Sequence, residues 1–120
     1  MTRSLVVKVT CGAEDAERCN QAFNVAALAA ASGVEVSLWL AGESAWYGVP
    51  GKAEEFALPL ATPLADLRDT VLSTGSITVC SQCAERREIS PDDLLPGVRI
   101  AGAAAFAEEV LREGVQALVY

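Results

Sequence analysis

Ser76-Ile77-Thr78-Val79-Cys80-Ser81-Gln82-Cys83-Ala84-Glu85-Arg86-Arg87 is the stretch on which the reading of this chain turns. Its first four residues form an apolar, partly β-branched run that reads as a short buried strand. Ala84-Glu85-Arg86-Arg87 can turn as a helix, so Cys80 is expected where a strand ends and a helix begins. Free backbone N–H groups and the helix dipole favour an anion at such a point. A thiol placed there has a lowered pKa and reacts as thiolate.

The rest of the chain repeats the strand-then-helix order. Leu5-Val6-Val7-Lys8-Val9 reads as a first strand that stops at Thr10-Cys11-Gly12. Glu14, Asp15 and Glu17 make an acidic first turn for the helix that follows. Cys19, Ala22, Phe23, Ala26, Ala29 and Ala30 recur along it at helical spacing, and Gly33 closes it. Val34 to Leu40 reads as a second strand. The segment from Glu43 to Thr62 is irregular, with breakers at Gly48-Val49-Pro50-Gly51. Pro63 to Leu72 reads as a helix with Leu64, Leu67, Val71 and Leu72 inward. Ser90-Pro91-Asp92-Asp93 is a helix-start signal, with Leu94-Leu95 as the apolar side and Pro96-Gly97 as the stop. A fourth strand over Val98–Ala101, a helix over Gly102–Glu113 and a last strand over Val115–Tyr120 complete the series. This alternation predicts an α/β layered fold with a mainly parallel, five-stranded sheet in a single domain over 1–120. The short apolar strands suit burial on both faces.

Composition excludes several classes of function. The 120 residues contain no histidine, so a Ser-His-Asp triad, a histidine base and histidine metal ligands are ruled out. Nine Lys+Arg against sixteen Asp+Glu leave a net charge of −7, which disfavours nucleic acid as a partner and leaves no polybasic membrane patch. No apolar run approaches the ~20 residues that span a bilayer, and no secretory signal is visible. A cytoplasmic protein is expected, and four cysteines there read as thiols, redox groups or metal ligands rather than structural disulfides.

In a parallel sheet, ligands bind along the edge formed by the strands' carboxyl ends. Cys80 is the candidate reactive residue, with a small buried hydrophobe as the plain alternative. Cys83 either resolves an oxidised Cys80 or shares a persulfide, or else packs. Cys11 and Gly12, at the end of the first strand, are candidates for the substrate-facing wall; they share a mouth with Cys80 if strands one and three are neighbours. A buried strand-end thiol and a turn glycine are the alternatives. Cys19 falls on the apolar stripe of its helix and reads as core. Arg86, or Arg87, can hold an anionic sulfur species or form a solvated ion pair. Trp46 can wall the same mouth, anchor an oligomer interface or pack a loop. Neither a G-x-G-x-x-G nor a G-x-x-x-x-G-K-[ST] signature is present, and no cofactor is expected. Cys11, Cys80 and Cys83 are a zinc alternative, but one C-x-x-C pair is half a site, and no metal is expected.

Over nearly its whole length the chain resembles the DsrE/DsrF-like family, which includes the TusD- and YchN-type sulfur-relay proteins. The resemblance rests on the first strand ending near Cys11-Gly12, the alanine-rich helix, the Val34–Leu40 strand, Val79-Cys80 and the terminal Gly102–Tyr120 segment. Its most specific part is Cys80 followed by Arg86-Arg87, similar to an active cysteine followed by a short helix and Arg-Arg-Gly. Glu88 stands here in place of that Gly, a departure that bears on the turn after the helix. The resemblance implies a three-layer α/β/α sandwich, homotrimers or homohexamers, and a persulfide carried on Cys80 between a protein sulfur donor and an acceptor. Relatives are also described as peroxiredoxin-like. A thiol redox protein using Cys80 and Cys83, or a non-enzymatic oligomeric binding module, are the alternatives.

Overall fold

The computed structural model describes residues 3–120. Five strands form one parallel sheet: β1 Ser4–Val9, β2 Glu35–Leu40, β3 Ser76–Cys80, β4 Arg99–Ala101 and β5 Val115–Val119. Their order is β4-β3-β2-β1-β5, all pairs parallel. Four helices connect them: α1 Ala16–Ala31, α2 Leu64–Thr74, α3 Ser81–Arg86 and α4 Ala103–Val110.

The order explains the layers. From β1 to β3 the chain steps one way across the sheet, so right-handed crossovers put α1 and α2 on one face. The step from β4 back to β5, beside β1, runs the other way and puts α4 on the opposite face. The first face is the apolar core: Val7, Val9, Leu38, Leu40, Ile77 and Val79 pack with Phe23 and the alanines of α1 and with Leu64, Leu67 and Val71 of α2. On the other face the register sets Lys8, Trp39, Thr78 and Arg99 in one row across four strands. Trp39 is fully buried there and meets Phe106 of α4 edge to face, with centroids 5.3 Å apart. Such a pair contributes about 0.5–1.5 kcal/mol beyond its buried area.

Several expected elements differ in detail. The segment after Ser90 forms one 3-10 turn, Pro91–Asp93, and not a helix. Asp93 accepts from both the backbone N–H and the hydroxyl of Ser90, as a helix start requires. The chain then turns away because Leu95 donates to the Gly48 carbonyl, and Gly97 takes φ +89. The last helix ends at Val110, three residues early. The expectation that strands are buried on both faces holds for β2 and β3 but not for β5. As an edge strand it leaves Leu118 and Val119 37% and 63% exposed. Arg68 of α2 is buried, which periodicity did not anticipate; its guanidinium forks onto both carboxylate oxygens of Glu54 at 3.1–3.2 Å and also reaches Asp69.

Gly33 closes α1 at φ +90, with Val34 N–H returning to the Ala29 carbonyl, as its sequence position suggested. α3 ends in the same motif without a glycine. Ile89 N–H returns to the Ala84 carbonyl, and Glu88 itself adopts φ +55. The left-handed turn is kept although its residue has a Cβ.

Candidate functional site

β3 delivers Cys80 to the carboxyl edge of the sheet, and the chain turns there into α3. Cys80 has extended backbone (φ −61, ψ 127) and is the N-cap of that helix. Its side chain belongs to the face carrying Thr78, because residues two apart in a strand share a face. Burial pushes the Cys80 thiol pKa up. The backbone N–H and thiol of Cys83, the backbone N–H of Gln82 and the Lys8 ammonium outweigh it, so the pKa lies below the ordinary thiol value. Lys8 projects from β1 on the same face, its ammonium 4.6 Å from the Phe106 ring centroid. The half-buried sulfur therefore meets positive partial charge from the protein while remaining within reach of solvent.

Cys83 is the third residue of α3, facing back toward the N-cap. Its sulfur accepts the Gly42 N–H at 3.2 Å. Gly42 follows β2 at φ +56, and any Cβ there would collide with the Thr10 carbonyl oxygen. Only glycine presents its N–H to Cys83 from this position without strain. Gly102, before α4, lies equally close to α3; a Cβ on it would come 3.0 Å from the Ser81 hydroxyl. The starts of α3 and α4 thus converge beside Cys80.

Beneath this edge runs a polar network that holds α4 to the sheet. Glu109 accepts from Ser37 at 2.6 Å and from the Trp39 indole at 3.2 Å, while its other oxygen accepts from Arg99 at 2.5 Å. Arg99 also donates to the buried Thr78 hydroxyl at 2.7 Å. Burial raises the Glu109 pKa, but these three donors and the Arg99 charge hold it below the usual carboxylate value.

The other candidates gather elsewhere. β2 lies between β1 and β3, so the condition for a shared mouth is not met and Cys11 stands two strands from Cys80. Cys11 is buried on the α1 side, its thiol 3.7 Å from the Asp15 carbonyl. Burial, with Asp15 and Glu14, pushes its pKa up. Cys19 is fully buried, and burial pushes its thiol to about 12. The Ser44 hydroxyl lies beside it at 3.7 Å and donates to the Cys11 carbonyl. Gly12 is buried against Glu43 and Tyr47; a Cβ on it would sit 3.0 Å from that of Glu43. Trp46 lines a cleft of about 330 Å³ with Tyr47, Phe56, Glu14 and Glu43, and Lys52 covers its ring at 5.4 Å. No thiol lines that cleft. A larger cavity of about 680 Å³ opens at the opposite ends of the strands, among Ser4, Glu35, Ser76 and Arg112.

Of the two arginines, Arg86 is exposed in the last turn of α3, the end away from Cys80. Arg87 joins α3 to the 42–48 segment, donating to Glu43 at 2.7 Å and to the Cys83 carbonyl at 3.1 Å. Among the described residues, no three His, Cys, Asp or Glu side chains come together as metal ligands, and all four cysteines are free thiols. Sequence reading passed over Lys8 and Gly42. The available signals were a lone charge inside an apolar strand and a glycine directly after one.

Solved structures share this architecture. The YchN protein of E. coli superposes with a TM-score of 0.79 at 17% identity, covering all of both chains. A protein of unknown function from Methanobacterium thermoautotrophicum, MTH1491, gives 0.61 at 15% identity, again over all of both chains. At these identities the likeness is one of fold. An uncharacterized protein of Methanocaldococcus jannaschii, MJ0760, is 30% identical over 108 residues, which cover 89% of this chain and 39% of that relative's length. The chain therefore spans about two fifths of that relative. The family model matches residues 3–119, from the start of β1 to the end of β5. With the parallel sheet and the thiol at the β3 edge in place, the chain belongs to the DsrE/DsrF-like family.

Proposed function

We propose that this protein is a sulfur carrier, with Cys80 as the residue that holds the sulfur. Family membership points to a sulfur-relay-related role. The observation that carries the finer reading is the setting of Cys80: an N-cap thiol whose pKa is held down by two backbone N–H groups, the Cys83 thiol and Lys8 against the effect of burial. The Cys80 thiolate attacks the outer sulfur of a donor persulfide. A bond forms from Cys80 Sγ to that sulfur, the donor's S–S bond breaks, and the donor leaves as a thiolate. The same N–H groups and Lys8 then stabilise the anionic persulfide. An acceptor thiolate attacks the outer sulfur in turn and frees Cys80.

Donor and acceptor are proteins in this reading, and the cytoplasm is its compartment, where four unpaired thiols stay reduced. No helix among the described residues is long and apolar enough to cross a membrane. Self-association has a candidate apolar surface in exposed Leu118 and Val119 on β5 and Leu111 just past α4; trimers or hexamers are what the resemblance implies. Cys11, Gly12, Trp46 and Arg86 are not needed for the carrier step. Loading of wild type and the Cys80→Ser variant with a persulfide donor tests the reading, since only the wild type should gain sulfur.

A further inference from the structure

Cys83 lies beside Cys80 but is not the sulfur carrier. The N-cap and third residues of a helix face one another, as in the reciprocal capping of a helix start. Side chains three apart on a helix have Cβ atoms about 5–6 Å apart, and a disulfide needs roughly 3.5–4.5 Å. Cys80 has extended backbone outside the helix, so its side chain is not held at the helical spacing. The Gly42 N–H at 3.2 Å, from the turn after β2, gives the Cys83 sulfur a donor and anchors it to the protein. The inner sulfur of a Cys80 persulfide is Cys80 Sγ itself, the atom that a thiol anchored three residues on would bond in closing a C-x-x-C disulfide, whereas a partner protein arriving from solvent meets the outer one.

The two attacks have different products. Attack on the outer sulfur passes it on. Attack on the inner sulfur expels it. We propose that Cys83 discharges a persulfide held on Cys80 when no acceptor takes it, releasing hydrosulfide and closing a Cys80–Cys83 disulfide. This deepens the carrier reading and rests on it.

The step balances without an outside oxidant. A bond forms between Cys83 Sγ and Cys80 Sγ, and the bond from Cys80 Sγ to the outer sulfur breaks. The Cys83 thiol proton leaves with that sulfur as hydrosulfide. The outer sulfur gains two electrons, and the two cysteine sulfurs together give up two in becoming a disulfide. A thiol reductant, such as a small dithiol, returns the pair to its resting state. The carrier thus has a limited holding time, and sulfur not collected is lost as sulfide.

The test loads the full chain with inorganic polysulfide, removes the excess by desalting, and follows the loaded protein without an acceptor. Intact mass reports retained sulfur, a sulfide assay reports release, and peptide mapping reports the disulfide. Decay is read per loaded molecule, so any change in loading rate does not enter. The wild type is expected to lose its added sulfur with matching sulfide release and to form the Cys80–Cys83 disulfide. Cys83→Ser and Cys83→Ala are both expected to hold it at least about tenfold longer, because an intramolecular nucleophile has been removed. Equal lifetimes in wild type and both variants would overturn the discharge while leaving the carrier intact. Failure of wild type and variants alike to take up sulfur would overturn the carrier reading, and the discharge with it.

Discussion

Lys8 acts on Cys80 from two strands away, across β2, and its contribution is electrostatic. The Cys80 pKa is lowered although burial raises it, and Lys8 is one of the groups that reverse the sign. Removing the charge while keeping the stem, as in Lys8→Met, should raise the pKa and slow alkylation of Cys80 at neutral pH by about two- to fivefold. The pH dependence of iodoacetamide labelling at Cys80, followed by peptide mass analysis, checks this; an unchanged profile would remove Lys8 from the site. Cys19, with its thiol pushed to about 12, should stay unlabelled in the folded protein. Cys80 was legible in the sequence because a strand end followed by a helix start can be read locally. Lys8 was not, because the face of a strand on which a residue meets another strand depends on register, which no single segment contains.

Caps and turns decide how the elements hold the site. Glu88 occupies a left-handed position at φ +55, where a Cβ costs roughly 1–2 kcal/mol relative to glycine. Glu88→Gly should therefore stabilise the fold, by about 1 kcal/mol after the added freedom of the unfolded chain is set against it. A shift of the urea midpoint to higher concentration at unchanged slope is the expected result. At α4, Glu109 has a folded pKa below its unfolded one. Its contribution to stability is complete above the unfolded carboxylate pKa of about 4.3 and is lost as pH falls through the folded value. Glu109→Gln should be less stable than wild type at neutral pH, and the difference should shrink as pH drops below about 4; denaturant curves at several pH values measure it. The Arg-Arg-Gly comparison had located the turn after α3, but whether a glutamate would keep its geometry could not be read from residue type. The helix expected after Ser90 has its cap but only one turn. Leu95 pairs with Gly48, a contact between distant segments that local signals do not contain.

Across the whole molecule, alternating strands and helices were enough to anticipate a parallel α/β sheet. Strand order and register were not legible: the order sets β2 between Cys11 and Cys80, and the register puts Lys8 on the sheet face that carries Thr78 and Cys80. The eight-residue α4 leaves β5 partly uncovered, with Leu118 37% and Val119 63% exposed, and Leu111 just past α4 is 82% exposed. If this surface joins copies of the chain, Leu111→Glu with Val119→Lys should lower the mass measured by sedimentation while leaving the circular dichroism unchanged. The central claim concerns one sulfur atom, and intact mass tests it most directly: wild type and Cys80→Ser, fully reduced, are exposed to a persulfide donor and weighed. The account predicts one added sulfur on the wild type and none on Cys80→Ser. Equal loading of both proteins would contradict it.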